Sequence, residues 1–557
     1  MKERGVFAEK SNWNILKLLK IRASEYGDKE FIRFDCGTSL SFKLLDEQSD
    51  KFAYKLLDIG LKEDENVFCF LKNSPEFLIS LFAVMKIGAI FVPINTELRW
   101  QFLEQQFLNC EPKISIIYNT LLEVFKNIKP QKNQLKGTIV TKSFDKKSLP
   151  TALHAEEILN FQSCLDNIIN DSNISLLETA SIHKICAIMY TSGTTGPSKG
   201  VLLPHGHFFS YAIISAEVAE FSDRDTQYIC MPLFHINALS IQCFAALYAG
   251  MSVYCVERFS PNRWLSDVQI SKATTTHLLG VMPEFVYSTK ESEEDKNHSL
   301  RLVSAVPIGE WGKDFEKRFN IKFLQGFGMT ESGMSFLASL NEETCVPGRA
   351  GYPLNELYEV RIADPENDET LPVNKVGELL IRPKHPGIFS AGYYKMPEKT
   401  VEAWRNLWFH TGDACHFDEK GRMHYFDRIK DCIRRRGENI SAFELEQVIN
   451  SYPQVDESAA IGVKTEKSGG EDEVLVCIVK NKEDKIDNDK FLLFCQEKLP
   501  RFAVPKYIRF VDSIRKTGSG KLSKVDVRKE GLTAVSYTHL RAHETDSYLV
   551  CRLLLEK

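Results

Sequence analysis

Residues 190–201 read YTSGTTGPSKGV and hold three kinds of group suited to a polyphosphate. The hydroxyls of Thr191, Ser192, Thr194 and Thr195 supply hydrogen-bond donors. Gly193, Gly196 and Gly200 let the backbone approach an anion closely, and Lys199 adds a positive charge. The apolar run before them, Ile185 to Met189, predicts a buried strand that holds the loop. A flexible surface turn has a similar Gly/Ser/Thr content, but the lysine and the buried strand favour phosphate binding. The pattern is not a Walker A loop. That motif needs Ser or Thr directly after its lysine, whereas here Gly200 follows Lys199 and Pro197 follows Gly196. A P-loop kinase or GTPase is therefore disfavoured.

Five further segments stand in order along the chain: PLFH at 232–235, QGFGMTES at 325–332, HTGD at 410–413, DRIKDCI at 427–433 and KTGSGK at 516–521. With the 190–201 loop they resemble the motifs of the adenylate-forming superfamily, which holds acyl-CoA synthetases, carrier-protein adenylation domains and firefly-type luciferases. The resemblance runs from about residue 15 to about residue 530, and six motifs in the right order make it specific. Within the superfamily, residues 82–95 and 436–441 look most like the crotonobetaine/carnitine–CoA ligase branch and its medium-chain fatty-acid relatives.

The resemblance implies one task, joining a carboxylate to the α-phosphate of ATP. Both reactants are anions, so the site must offset their repulsion and hold an in-line geometry. By resemblance, Glu331 and Thr191 hold a Mg2+ ion that bridges the phosphates, and Thr330 donates to the α-phosphate. Phe327, Gly328 and Met329 fall where the family packs adenine, with Phe327 in place of the usual Tyr. Asp413 matches the carboxylate that accepts both ribose hydroxyls, and Arg428 the ribose–phosphate arginine. Asn406-Leu407-Trp408 stands where the family commonly has Asp-Gly-Trp, so the turn before an expected strand at 407–409 should differ.

Lys521 matches the catalytic lysine, which reaches from a small domain to the carboxylate and α-phosphate oxygens. Residues 434–440, RRRGENI, resemble the segment lining the pantetheine tunnel for coenzyme A, where Gly437 permits close approach. The three arginines there are either phosphate contacts or a solvated charge run. His235 matches the mouth of the acyl pocket, and Ala305 and Val306 the segment under adenine and acyl group. Taken without the resemblance, Glu331 is a solvated carboxylate, Asp413 a turn residue, His235 a packed wall residue and Lys521 a solvated lysine.

Such groups need a scaffold, and the hydrophobic pattern supplies one. Residues 46–57 and 75–86 look helical, while 67–71 and 89–93 look like short apolar strands. That alternation recurs over 185–254 and 302–323, as βαβ units in a mostly parallel sheet require. Between 358 and 381 the text changes to strands with turn signals, as in a β-rich subdomain. After Asp427 a second α/β unit begins, with a helix from Phe443, a strand at 474–479 and a helix from Asp489. The expected fold is α/β: a large domain of stacked α/β subdomains plus a β-rich one over 1–428, and a small mobile α+β domain over 429–533. The hinge between them is expected near Lys430. Residues 535–557 read VSYTHLRAHETDSYLVCRLLLEK and resemble the translation of a transposase-type sequencing adapter followed by its flow-cell primer. Residues 534–557 are therefore expected to be a non-native tail.

Composition narrows the class further. Of 557 residues, 43% are hydrophobic and 26% charged, the balance of a soluble globular protein rather than a disordered one. Lys plus Arg at 70 against Asp plus Glu at 75 leaves a net charge of −5, which gives no electrostatic case for nucleic acid or an anionic membrane. The 14 cysteines include no C-x-x-C pair, so they read as buried thiols in a reducing compartment. Residues 1–11 carry no signal-peptide core, and the longest apolar stretch, 77–94, is broken by Lys86, Gly88 and Pro93. A cytoplasmic monomer or homodimer without an integral membrane segment is expected. Its expected activity is that of a carboxylate–CoA ligase using ATP, Mg2+ and coenzyme A, with acyl-AMP as intermediate and pyrophosphate and AMP released. A stand-alone adenylation enzyme loading a carrier-protein thiol shares every motif. A non-catalytic nucleotide-binding protein requires the loss of Lys521, Glu331 or Asp413, all present, and a luciferase-like oxygenase only a different substrate and oxygen access.

Overall fold

The computed structural model describes residues 5–98, 100–128, 135–142, 144, 149–166, 175–191, 198–280, 282–340, 345–428, 433–435, 438–440, 442–464, 472–481, 486–499, 503–516 and 522–532. One seven-stranded sheet runs in the order Ala155–Asn160, Leu135–Val140, Ile114–Ile117, Asn66–Phe70, Ile90–Pro93, Ile185–Thr191, Lys199–Pro204. It is parallel except for its last pair, a hairpin. Its central strand, Asn66–Phe70, is buried at every position, which is why that stretch is continuously apolar rather than alternating.

The helices over this sheet begin and end where side-chain chemistry dictates. Phe42–Asp58 starts at Ser41, whose hydroxyl accepts the Leu44 N–H at 3.0 Å. It buries Phe42, Leu45, Phe52 and Leu56 along one face. Pro75–Ile87 has proline in its first turn and ends at the left-handed Gly88. It is buried all round, including Lys86, the residue that breaks the apolar run in the sequence. The Lys86 ammonium is satisfied by Asp46 Oδ1 at 2.7 Å, Ser49 Oγ at 2.8 Å and Asp50 Oδ1 at 2.5 Å from the neighbouring helix.

A second seven-stranded sheet has the order Lys322–Leu324, Leu302–Val306, Thr275–Leu279, Thr226–Ile229, Ser252–Cys255, Glu30–Phe34, Ser39–Ser41, again parallel up to a final hairpin. The third sheet is antiparallel throughout, as the strand-and-turn text after Tyr358 predicts. The helix His205–Val218 is buried on nearly all sides and packs on strands Lys199–Pro204 and Gly333–Leu337 and on the π-helical segment Asn237–Phe244. A helix buried on nearly all sides is a core helix, and this one ties the three sheets together. The smaller unit holds strands Val455–Lys464, Asp472–Lys480 and Tyr507–Val511 with helices Ala442–Asn450 and Asn488–Lys498 around its own core. The expected two-part α/β architecture holds.

One element differs from expectation. Residues 407 and 408 are not in a strand: Arg405–Leu407 make a turn, and the strand begins only at Phe409 and runs to Phe417, so Asp413 lies inside it rather than after it. The cause is backbone sign, with φ of 54° at Asn406 and 63° at Leu407. Asn tolerates that region, whereas leucine is strained there. Leu407 is 77% exposed and so gains little from packing. Leu407→Gly is expected to raise stability by about 0.5–1 kcal/mol, read as a shift of the thermal midpoint. An unchanged or lower midpoint would show that the turn is not under strain.

Residues 429–432, which include Lys430, and 533–557, which hold the tail, lie outside the described residues. Among the described residues no helix is long and apolar enough to cross a membrane. The described cysteines are free and, apart from Cys36, buried.

Candidate active site

The hairpin Ile185–Thr191/Lys199–Pro204 carries the glycine-rich loop at its tip, with Thr191 directly opposite Lys199. Ser192, Gly193, Thr194, Thr195 and Gly196 lie outside the described residues, but both ends of their loop are held. The Thr191 hydroxyl donates to the Lys199 carbonyl at 3.4 Å. Gly200 admits no side chain without a shift, since a Cβ there meets Ile188 Cγ2 at 2.8 Å. The Lys199 ammonium lies 4.2 Å from the centre of the Tyr393 ring.

Thr330, Glu331 and Ser332 form the turn between strands Gly326–Met329 and Gly333–Leu337. The turn is held by its carbonyls. His207 Nε2 lies 2.9 Å from the Thr330 oxygen, the Tyr211 hydroxyl donates to Met329, and the Ser390 N–H donates to the Glu331 carbonyl at 3.0 Å. Burial holds the His207 pKa down to about 4, so its ring is neutral and donates to only one of the two carbonyls it faces, Thr330 or Ile388. The buried Glu331 carboxylate accepts the Tyr393 hydroxyl at 3.1 Å. Burial, and then Glu331, push that hydroxyl far above the usual tyrosine range, so it remains a donor.

Tyr393 thus joins the two halves, with Lys199 on its face and Glu331 on its oxygen. It reaches them because residues 391–394 pair with the hairpin: Ala391 N–H donates to Leu202, Leu202 N–H to Gly392 and Tyr394 N–H to Gly200. Nothing in the spacing of the motifs signals this tyrosine. Among the described residues no cluster of three or more His, Cys, Asp or Glu could hold a metal by itself. Mg2+ seldom needs one, because it is bound through one or two carboxylates, water and substrate phosphates. Glu331 with the Thr191 hydroxyl fits that donor set. Tyr393→Phe is expected to raise the Mg2+ concentration for half-maximal adenylation about tenfold, the scale for losing a partner of a metal-binding carboxylate. An unchanged Mg2+ dependence would show that Tyr393 does not orient Glu331.

Asp413 and Arg428 face each other across the hairpin Phe409–Phe417/Met423–Arg428, with Arg428 Nε 2.9 Å from Asp413 Oδ1. Asp413 is 1% exposed. Behind it, Glu378 shapes the backbone: one oxygen accepts the Gly412 N–H at 3.0 Å and the other lies 2.9 Å from His410 Nδ1. Gly412 has φ of 72°, which suits glycine at that bend. Thr411 donates to the Leu379 carbonyl at 2.7 Å and accepts the Asp413 N–H at 3.0 Å. Phe327 stacks on Tyr425 of the same hairpin, with ring centres 6.3 Å apart and planes at 29°. Gly328 must stay small, because a Cβ there comes within 2.8 Å of the Gly333 carbonyl. Phe327 and Met329 are half-buried beside it.

On the acyl side, half-buried His235 closes the turn after Thr226–Ile229. Asn73 fixes that turn, accepting the Leu233 N–H at 2.8 Å and donating to Met231 at 3.0 Å and Val256 at 2.9 Å. Ala305 is fully buried and Val306 is 41% exposed at the end of its strand. Ser304, one residue earlier, lines a small cavity with His277.

In the smaller unit, Gly437 and Lys521 lie outside the described residues. Their flanks are defined. Arg435 is not part of a solvated charge run: it is buried, with Nε 2.7 Å from Glu473 Oε2 and Nη1 donating to the Val504 carbonyl at 3.0 Å. Lys516 pairs with Glu457 at 2.7 Å and Lys524 with Glu446 at 2.8 Å.

Fold and site together match those of one enzyme family. The family described as AMP-binding enzyme matches residues 19–394, and that described as AMP-binding enzyme C-terminal domain matches residues 444–521. The chain belongs to the AMP-binding enzyme family. It is 26% identical over 525 residues to a crotonobetaine/carnitine–CoA ligase of Citrobacter koseri, covering 92% of this chain and 99% of that one. A crotonobetaine/carnitine–CoA ligase of Escherichia coli is 28% identical over 497 residues, covering 88% and 93%. Among solved structures, ATP-bound MatB from Rhodopseudomonas palustris superposes with a TM-score of 0.77 at 25% identity, covering 93% and 98%. The anthranilate CoA ligase AuaEII in complex with anthranoyl-AMP gives 0.80 at 21% identity, covering 93% and 96%, a likeness of fold.

Proposed function

We propose that the protein joins a carboxylic acid to coenzyme A at the expense of ATP. A carboxylate oxygen attacks the α-phosphorus, the bond to the β-phosphate oxygen breaks, and acyl-AMP and pyrophosphate result. The coenzyme A thiolate then attacks the acyl carbonyl and AMP leaves. The observation that carries this reading is the Lys199–Tyr393–Glu331 arrangement, which brings the phosphate hairpin against a single buried carboxylate. The Asp413–Arg428 pair beside Phe327 and Tyr425 supplies the nucleoside end.

In this reading Asp413 accepts the ribose hydroxyls, Arg428 spans ribose and α-phosphate, and Phe327, Gly328 and Met329 pack the adenine. Residues 191–196 and Lys199 hold the β- and γ-phosphates, and Thr330 donates to the α-phosphate. Glu331 and Thr191 would hold Mg2+, which would supply charge neutralisation at the phosphates. Lys521 acts in adenylation, while Gly437 lines the thiol path, and residues 1–428 and 429–533 turn about Lys430 between the two steps. His235, Ala305 and Val306 border the acyl group. Coenzyme A is favoured over a carrier protein because the relatives are CoA ligases over nearly their whole length. Free buried thiols support a cytoplasmic enzyme. Its assembly in this proposal is a monomer or homodimer. Residues 534–557 play no part. The test is pyrophosphate release over short, medium-chain, aromatic and betaine acids, with coenzyme A or a carrier protein as acceptor. Release with coenzyme A is expected. Release that depends on carrier protein would replace the acceptor, and no release with any acid would sink the ligase reading.

A further inference from the structure

A cavity of ≈ 20 Å³, room for about one water-sized group, lies between the second sheet and the core helix His205–Val218. The sheet wall is layered. His277 stands in register with Ser304, and Thr275 with Leu302 one layer below. Strand alternation puts all four on one face. Val306 shares that face two residues beyond Ser304 and is exposed at the carboxyl end of the strand, the edge where open parallel sheets bind ligands. The wall therefore runs from the segment expected under the acyl group down to the cavity. Ser215 of the core helix, Ile241 of the π-helical segment, and Met334 and Leu337 of the third sheet stand among its other lining residues.

Two buried polar atoms in these walls make no hydrogen bond within the protein: Nδ1 of His277, a residue 5% exposed, and Oγ of Ser215, a residue 7% exposed. Such groups are costly unless something pairs them. Resting on the ligase reading, we infer that this cavity receives the far end of the acyl group, that this end is uncharged and bears a hydroxyl or carbonyl oxygen, and that His277 and Ser215 select it.

Burial holds the His277 pKa down to about 3, so its imidazole is neutral, with one donor and one acceptor nitrogen. That pair suits a hydroxyl or a carbonyl. It does not suit a trimethylammonium group, which offers no hydrogen bond and needs a carboxylate or several aromatic faces. The lining holds no Asp or Glu and a single aromatic ring, Phe221. Asp225, at the foot of the same sheet, is already bound by Arg301 at 3.1 Å and Thr274 at 2.7 Å. The acyl group assigned here thus differs from the one named for the curated relatives.

Pyrophosphate release by the full chain with coenzyme A tests this with four acids: crotonobetaine, its neutral carbon isostere 5,5-dimethylhex-2-enoate, hexanoate and 5-oxohexanoate. The neutral isostere is expected to exceed crotonobetaine at least about tenfold in kcat/KM, and the oxo acid to exceed hexanoate. His277→Leu and the milder Ser215→Ala are each expected to lower kcat/KM for the oxo acid about tenfold, leave hexanoate within about twofold, and leave the KM for ATP unchanged. Preference for crotonobetaine overturns the inference, as does an oxo-acid advantage that survives Ser215→Ala and any folded His277→Leu protein. Failure of all four acids and of the wider acid screen overturns the ligase reading itself, and this inference with it.

Discussion

Lys521→Ala is expected to slow adenylate formation at least about a hundredfold while transfer from supplied acyl-AMP to coenzyme A persists. The asymmetry comes from where charge gathers. In the first step a carboxylate and a triphosphate crowd around one phosphorus, and an ammonium at that point stabilises the crowded arrangement more than the separated reactants. In the second step pyrophosphate has gone and a thiolate attacks an acyl carbon, so that ammonium has little left to offset. The described flanks on either side of Lys521 are held in place. The Lys516–Leu522 bridge closes the base of its loop, Lys516 is tied to Glu457, and Lys524 to the buried Glu446. Of the two lysines that make Lys521 look like one of a solvated group, Lys524 is in a buried ion pair while Lys516 remains more than half exposed. Rapid-quench measurement of acyl-AMP formation, beside acyl-CoA formation from synthetic acyl-AMP, separates the two steps. Equal loss in both would mean that the substitution harms docking or folding rather than charge.

The scaffold was legible where one local rule decides the outcome. The run at 67–71 is apolar at every position because strand Asn66–Phe70 is covered on both faces, and Pro75 and Gly88 mark their helix by backbone preference alone. The altered turn is legible from Asn406-Leu407, but the start of the next strand is not, because it depends on two consecutive positive φ values, one at a leucine that gives no warning of them. Lys86 interrupts an apolar run in the sequence, yet in the fold it is an internal cation held by Asp46 and Asp50 from another helix. The site divides in the same way. Thr191, Lys199, Glu331, Asp413 and Arg428 sit in motifs with recognisable spacing. Tyr393, His207, Tyr211 and Glu378 do not, because what they hold are backbone carbonyls, a bend and a carboxylate brought near only by sheet pairing. His277 was invisible for the same reason. Its neighbours in the cavity come from a helix, a π-helical segment and four strands, and no periodicity encodes that meeting.

Lys430→Pro is expected to leave ATP–pyrophosphate exchange largely intact and to cut acyl-CoA formation steeply. The argument is geometric. The proposed roles of Lys521 at the α-phosphate and of the Gly437 segment along the thiol path cannot be filled at one place at one moment, so the proposal requires the small domain to turn between the steps. The turn has to be absorbed by the linker that follows strand Met423–Arg428, where the last large-domain strand ends. Arg428 itself is held by Asp413 and by the Thr411 carbonyl at 3.1 Å, so it is a poor pivot. The first residues beyond it are Ile429 and Lys430. A pivot must change φ or ψ by a large amount, and proline locks φ near −65°. Lys430→Ala serves as the control, since it removes the side chain and keeps the rotation. If alanine preserves both half-reactions while proline blocks only the second, the backbone at this position is the hinge. If proline and alanine both make acyl-CoA at the parent rate, the pivot lies elsewhere in the linker. If proline lowers both half-reactions alike, the linker is a structural strut and the two steps need another explanation for how one site serves them.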